Sequence, residues 1–205
     1  MNILIDALPE SVMVKDAGYP VEYGFRAFIL IEMCIFDRKL TEQEKTANAL
    51  NIFFKGDIPH DIPEAIETLL WFYRCGNEAE NSADKPTKKT VRRCYDFEQD
   101  AAFFYAAFLT QYGIDLNQIP GNDLHWWKFK AMFDGLSEEH KLCKIMGYRS
   151  IDTAGMSKAQ KKFYSDMKKQ YAIDSEIKVD SKLALAKRDR MMLDYVQKRF
   201  KGVSA

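Results

Sequence analysis

Residues 124–136 read LHWWKFKAMFDGL, a segment whose two apolar faces are informative about the fold. On a helix, at about 100° per residue, its apolar side chains form two stripes on nearly opposite faces. One stripe contains Trp126, Phe129, Phe133 and Leu136, and the other contains Leu124, Trp127 and Ala131. A helix that is apolar on two sides has to be covered on two sides. It is either the central helix of a layered core, or a core helix whose second face meets another chain. Our hypothesis is that Trp127 lies at a groove or a subunit contact.

Helical spacing of apolar residues extends over most of the surrounding chain. It predicts helices over 25–36, after a Thr41/Glu44 capping box, after Asp61 with Pro63, from Asp96 to Gly113, from Ser137 to Gly147, and after Ser157/Gln160. Two short β-prone runs, 12–14 and 19–21, flank a turn-forming cluster. The predicted fold class is therefore mainly α, a multi-helix bundle-like globule with a small N-terminal β-hairpin and a long amphipathic C-terminal helix.

The composition along the chain suggests four parts. Residues 1–75 hold the hairpin and the first helices, and residues 76–94 have almost no large apolar group, which predicts a flexible charged linker. Residues 95–173 form an aromatic-rich helical core region, expected to share one globule with 1–75. Residues 174–205 predict a basic amphipathic helix with a thin apolar face made of Leu185, Met192, Tyr195, Val196 and Phe200.

The charges are balanced in total but divided along the chain. The protein has 205 residues, 47% of them hydrophobic, with 30 basic and 30 acidic side chains, which is typical of a globular protein. Residues 1–155 hold 17 basic and 24 acidic residues, a net charge of −7, and residues 156–205 hold 13 and 6, a net charge of +7. Such a division suits a basic arm for nucleic acid, an arm that docks on an acidic partner, or two parts that attract each other.

Targeting signals and reactive motifs are missing from the sequence. The N-terminus has no signal-peptide pattern, and the most apolar stretch, 25–36, is too short for a bilayer of about 30 Å. The four cysteines form no CxxC pair and are expected to stay thiols in a cytoplasmic protein. We therefore expect no membrane association.

Candidate groups for catalysis are few. The three histidines lie in separate segments without a metal-binding spacing, and no phosphate-binding loop, dinucleotide fingerprint or nucleophile elbow occurs. Glu98 and Asp100 lie near a helix start, where the helix dipole favours acids. His125 is interpreted as a partly buried polar residue in preference to an acid or base. The expectation is a non-enzymatic protein with no catalytic residue, metal or cofactor.

Four segments together resemble a known family. They are 69–76 (LLWFYRCG), 95–116 (YDFEQDAAFFYAAFLTQYGIDL), 124–136, and 144–152 (KIMGYRSID). In this order, over residues 1 to about 173, they resemble tail-assembly proteins of long-tailed phages and prophages of Gram-positive bacteria. In that family the gene usually lies between those of the major tail-tube protein and the tape-measure protein. The resemblance implies a chaperone of the bacterial host cytoplasm, absent from the mature virion, that keeps the tape-measure protein soluble and helps tube subunits polymerise around it.

A chaperone for a long helical client needs a complementary groove, because an uncovered apolar helix stripe aggregates. We expect homo-oligomers that bind the tape-measure protein, and possibly the major tail protein, through two sets of residues. The first set is Leu124, Trp127, Ala131, Tyr148 and Arg149, and the second is Leu185, Met192, Tyr195, Val196 and Phe200.

The alternative function is nucleic-acid binding through the basic C-terminal segment. Its phosphate contacts would come from Lys161, Lys162, Lys168, Lys169, Lys187, Arg188, Arg190, Lys198 and Arg199. Six acids interrupt this segment, and no recognition helix or base-stacking module is present. Nucleic acid is therefore the second choice.

Overall fold

The computed structural model describes residues 2–77, 93–120 and 123–174. The chain divides into two compact units, Met1–Tyr171 and Ala172–Ala205. The first unit contains all the elements described below. Most of the linker predicted over 76–94 lies outside the described residues. So does nearly all of the predicted C-terminal helix, including Leu185, Met192, Tyr195, Val196 and Phe200.

The described part of the chain is mainly helical, with one small antiparallel hairpin, so the predicted fold class is confirmed apart from the C-terminal helix. Strands β1 (Ser11–Val14) and β2 (Ala17–Pro20) pair with Ser11 opposite Pro20 and Val14 opposite Ala17. The helices are α1 (Phe25–Phe36), α2 (Glu42–Phe53), α3 (Ile62–Tyr73), α4 (Ala101–Tyr112), α5 (Trp126–Asp134), α6 (Lys141–Ser150) and α7 (Lys158–Gln170).

Several helices begin at the residues that local signals predict. Thr41 forms a complete capping box at the start of α2: its side chain accepts the Glu44 N–H, and the Glu44 carboxylate accepts the Thr41 N–H at 2.7 Å. Ser157 does the same with Gln160 at the start of α7. Asp61 caps α3 by accepting the Glu64 N–H at 3.1 Å. These caps satisfy backbone donors that the first helical turn leaves without partners.

Three predicted helix boundaries are wrong. The helix predicted from Ser137 begins only at Lys141, and the Ser137 hydroxyl instead accepts the Glu139 N–H at 3.3 Å in the turn before it. The Asp96 carboxylate accepts two N–H groups of the next turn, each at 2.8 Å, so the chain turns there and α4 begins only at Ala101. The glycine signal predicts that α6 stops at Gly147, but the helix continues to Ser150. A helical glycine costs only about 1 kcal/mol, and the contacts of Arg149 described below outweigh that cost.

Aromatic rings fill the centre of the described core. Phe28 of α1 stacks on Trp126 of α5 with ring centroids 5.0 Å apart, and on Phe72 of α3 at 5.3 Å. Phe129 of α5 stacks on Phe108 of α4 at 4.9 Å. Helix α5 therefore lies in the core between α1, α3 and α4, as one of the two interpretations of its double stripe requires.

Candidate functional site

The two tryptophans of α5 cap the C-terminal end of α3. The Trp126 indole N–H donates to the Tyr73 carbonyl at 3.0 Å, and the Trp127 indole N–H donates to the Phe72 carbonyl at 2.8 Å. The last carbonyls of a helix have no partner within it, and the Tyr73 carbonyl accepts the Trp126 indole N–H instead. The Phe72 carbonyl also accepts the Cys75 N–H at 3.0 Å, so the Trp127 indole is its second donor. Trp127 is only 4% exposed. The hypothesis that it lines a groove or a subunit contact is therefore wrong, because its ring and its polar atom are both used inside one chain.

His125 starts α5 and fixes it to the N-terminal segment. Its Nδ1 accepts the Trp127 N–H at 3.0 Å, and its Nε2 lies 3.0 Å from the Pro9 carbonyl. An imidazole that accepts at Nδ1 and donates at Nε2 is neutral. Burial lowers the pKa of His125, which is consistent with this state. Both nitrogens are used for structure, as the interpretation of His125 as a buried polar residue expects.

The remaining residues of the predicted second stripe do not form one surface. Leu124 is buried, and its carbonyl accepts the Phe25 N–H at 3.0 Å. Ala131 is exposed, but the neighbouring members of its stripe are not. Helix α5 therefore lacks the expected groove, since one exposed alanine offers little area to a client.

Arg149 is committed to a buried ion pair. Its guanidinium contacts both carboxylate oxygens of Asp100, with Nη2 donating to Oδ1 at 3.0 Å. It also donates to the carbonyls of Cys94 at 3.0 Å and Tyr171 at 2.6 Å. Arg149 is 8% exposed and Asp100 is 1% exposed. The prediction that the Arg149 side chain contacts a partner is contradicted, and Asp100 has the structural role expected of it.

Tyr148 lies at the edge of an aromatic cluster. Its ring is half-buried and contacts Phe163, Tyr164 and Tyr171, with centroid distances of 6.1–6.4 Å. Phe163 is 49% exposed. Of the predicted pair Tyr148 and Arg149, only Tyr148 therefore remains partly accessible to a partner.

Glu32 is a buried acid that the sequence analysis did not single out. It is 3% exposed and accepts hydrogen bonds from the hydroxyls of Tyr73 at 2.7 Å and Tyr95 at 3.2 Å. Burial raises the pKa of Glu32, and the two tyrosine hydrogen bonds partly oppose the rise. These bonds join α1 to the end of α3 and to the segment before α4. In the sequence, Glu32 is the one acid within the apolar run of 25–36, and that position was the available signal for a buried acid.

Glu32→Gln should make the protein more stable at neutral pH than the wild type, with a difference that disappears in acid. The folded pKa of Glu32 lies above its ordinary value of 4.5, so the folded state retains a proton that the unfolded chain releases. The wild-type protein therefore loses stability as the pH rises from 4.5, the pKa of Glu32 in the unfolded chain, through the higher pKa of Glu32 in the folded protein. The amide of the substituted glutamine has no such proton to lose, and its oxygen can still accept from both tyrosines.

Urea unfolding of both proteins between pH 4 and pH 8 measures this difference. The same substitution at the exposed Glu67 controls for the loss of one negative charge. A Glu32→Gln protein that is less stable than the wild type throughout the range would show that the charged carboxylate is favourable where it lies.

Helix α4 exposes an uncharged face to solvent. Its twelve residues, AAFFYAAFLTQY, include no charged side chain. Phe104, Ala107 and Phe108 face the core, whereas Ala102 and Ala106 are exposed, Leu109 is 41% exposed and Tyr105 is half-buried. Ala102, Tyr105, Ala106 and Leu109 follow the i, i+3, i+4, i+7 spacing that normally marks a buried stripe. We call these four residues the outer face of α4.

No three His, Cys, Asp or Glu side chains in 2–77, 93–120 and 123–174 lie close enough together to hold a metal ion. Among the helices of those same ranges, none is long and apolar enough to span a membrane.

These features define a mainly helical protein with a tightly bonded aromatic core and one uncharged helix face open to solvent. The chain belongs to the Bacteriophage Gp15 protein family, whose model matches residues 4–173. It is therefore a bacteriophage-family protein, and that part of the resemblance drawn from the four segments is confirmed. No curated protein matches the chain, and no solved structure does.

Proposed function

We propose that this protein is a non-enzymatic tail-assembly chaperone that binds the helical tape-measure protein through the outer face of α4. Membership of a phage family supports a role in phage structure or morphogenesis. The finer role follows from the resemblance to tail-assembly proteins. In this proposal the chaperone acts in the host cytoplasm, releases its client to the tail tube built from the major tail protein, and is absent from the mature virion.

The outer face of α4 is the observation that carries the proposal. An exposed helix face of a globular protein is usually rich in charge, because charged groups are solvated there. This face instead has two alanines one turn apart, beside Tyr105 and Leu109. Small residues let a second helix approach closely. None of the four side chains is charged, which lowers the desolvation cost of covering them with an apolar stripe. The Asp115 carboxylate, which accepts a hydrogen bond from the Tyr105 hydroxyl, lies beside the face.

Ala106→Lys should abolish the effect on the client without unfolding the chaperone. Position 106 is exposed, and lysine is a good helix former, so the free protein should retain its melting temperature. A client helix lying on α4 would bury the new charge, and we expect binding to weaken at least about tenfold, or about 1.4 kcal/mol. The measurement is the soluble fraction of the tape-measure protein when the two proteins are co-expressed.

Ala47→Lys is the matched control, because Ala47 is also an exposed alanine within a helix, on the charged helix α2. It should keep the client as soluble as the wild type does. If the tape-measure protein were equally soluble with both variants, the outer face of α4 would not be the client site. Equal solubility with and without the wild-type protein would remove the chaperone role itself.

A further inference from the structure

Helix α7 presents a row of lysines to solvent. Lys158, Lys161, Lys162 and Lys169 share its outward side, opposite Phe163, Tyr164 and Met167, and no residue of the helix is buried. At 1.5 Å per residue, Lys158 and Lys169 lie about 17 Å apart along the axis. We call these four lysines the lysine face.

None of the four lysines of the lysine face forms an ion pair with another described residue. Lysines three and four residues apart on one helix repel each other. Asp166 is the one acid of α7 and is four residues from Lys162, but the ion pairs of the described residues do not include this pair. An anionic partner would relieve this repulsion.

A surface of opposite sign lies at the hairpin turn and the start of α3. Lys15 joins the two, because its ammonium pairs with Asp61 at 2.6 Å and its N–H donates to Glu64 at 2.9 Å. Asp16 follows Lys15 in the sequence, and Glu67 is three residues after Glu64. Both side chains are exposed, and neither belongs to an ion pair within the described part of the chain. These four acids form what we call the acidic patch: Asp16, Asp61, Glu64 and Glu67.

The charges favour a second copy of this chain as the occupant of the lysine face. Residues 2–77 and 93–120 together hold 16 acidic and 8 basic side chains, a net charge of −8. That charge repels a nucleic acid but attracts α7 of another molecule. The whole chain is formally neutral, so copies of it do not repel one another over a distance. The ion pairs of the described residues include none between the lysine face and the acidic patch of the same molecule.

We propose that the lysine face of one molecule docks on the acidic patch of a second copy. The two surfaces differ, so the contact is head-to-tail, and repeating it generates a ring or a helical chain of subunits. This inference goes beyond the proposed chaperone function and does not depend on it, because α4 is not involved.

The test is a charge swap followed by sizing in solution. Lys162→Glu with Lys169→Glu, and separately Asp16→Lys with Glu67→Lys, should each give monomers, since each variant brings like charges together at the contact. Mixing the two variants should restore assembly, because each altered surface then faces its complement. Analytical ultracentrifugation at about 50 mM and about 500 mM salt measures the sizes, and we expect at least about tenfold weaker association at the higher salt.

Lys128→Glu with Lys144→Glu is the control, because both lysines are exposed and lie on α5 and α6 outside the lysine face. This variant should assemble like the wild type. A monomeric wild-type protein, or a mixture that does not reassemble, would overturn the proposal. The proposal would also be overturned if the Lys162→Glu, Lys169→Glu protein kept the size of the wild type but lost salt-dependent binding to duplex DNA. That result would assign the lysine face to nucleic acid.

Discussion

Replacing Arg149 by methionine should lower the free energy of unfolding by about 3–5 kcal/mol, because it leaves the Asp100 carboxylate charged and buried without its cationic partner, with the Asp96 N–H as a remaining donor at 3.0 Å. Asp100 is 1% exposed and cannot reach water without opening the end of α6 against α4. The variant also leaves the carbonyls of Cys94 and Tyr171 without the guanidinium donors they have in the wild type. Methionine fills a similar volume, so the loss reflects charge and hydrogen bonding more than a cavity.

Lys130→Met is the matched control in urea unfolding. Lys130 also pairs with an aspartate, Asp134, but this pair joins successive turns of α5 at the surface. Exposed pairs of this kind contribute about 0.3–0.5 kcal/mol. Adding Asp100→Asn to the Arg149→Met protein should recover part of the lost stability, since it removes the unpaired charge. Similar losses for Arg149→Met and Lys130→Met would mean that Asp100 reaches water in the folded protein.

The sequence predicts those elements whose signals are local. The capping boxes at Thr41 and Ser157 satisfy backbone groups within one helical turn, so they mark helix starts wherever the rest of the chain lies. The hairpin follows from two β-prone runs beside one turn, and α1 occupies 25–36 as the apolar spacing predicts. In each case the deciding contacts connect residues close together in the sequence.

Two of the errors come from contacts between distant segments. The glycine signal places the end of α6 too early because the partner of Arg149, Asp100, is 49 residues away and gives no local signal. The second face of α5 suggests a groove because the carbonyls that the indoles cap belong to α3, more than 50 residues earlier. The outer face of α4 was not predicted, although the complete absence of charge over 101–112 is visible in the sequence.

Gly76→Ala should lower the free energy of unfolding by about 2–5 kcal/mol, which combines about 1–2 kcal/mol for a left-handed backbone with about 1–3 kcal/mol for overpacking. Gly76 has φ +78°, and a Cβ there would lie 2.9 Å from Cη2 of Trp127. The indole cannot retreat without giving up its bond to the Phe72 carbonyl, which it makes at 2.8 Å. The substitution therefore strains the backbone and loosens the cap of α3 together.

Gly113→Ala separates these two contributions. Gly113 follows α4 with φ +67°, close to the value at Gly76, but no described atom lies within 4 Å of the position a Cβ would take. It should cost only the backbone strain of about 1–2 kcal/mol. The difference between the two variants in urea unfolding then measures how firmly Trp127 is held. Equal losses would mean that the indole moves aside at little cost, and the end of α3 would then not depend on Trp127 for its cap.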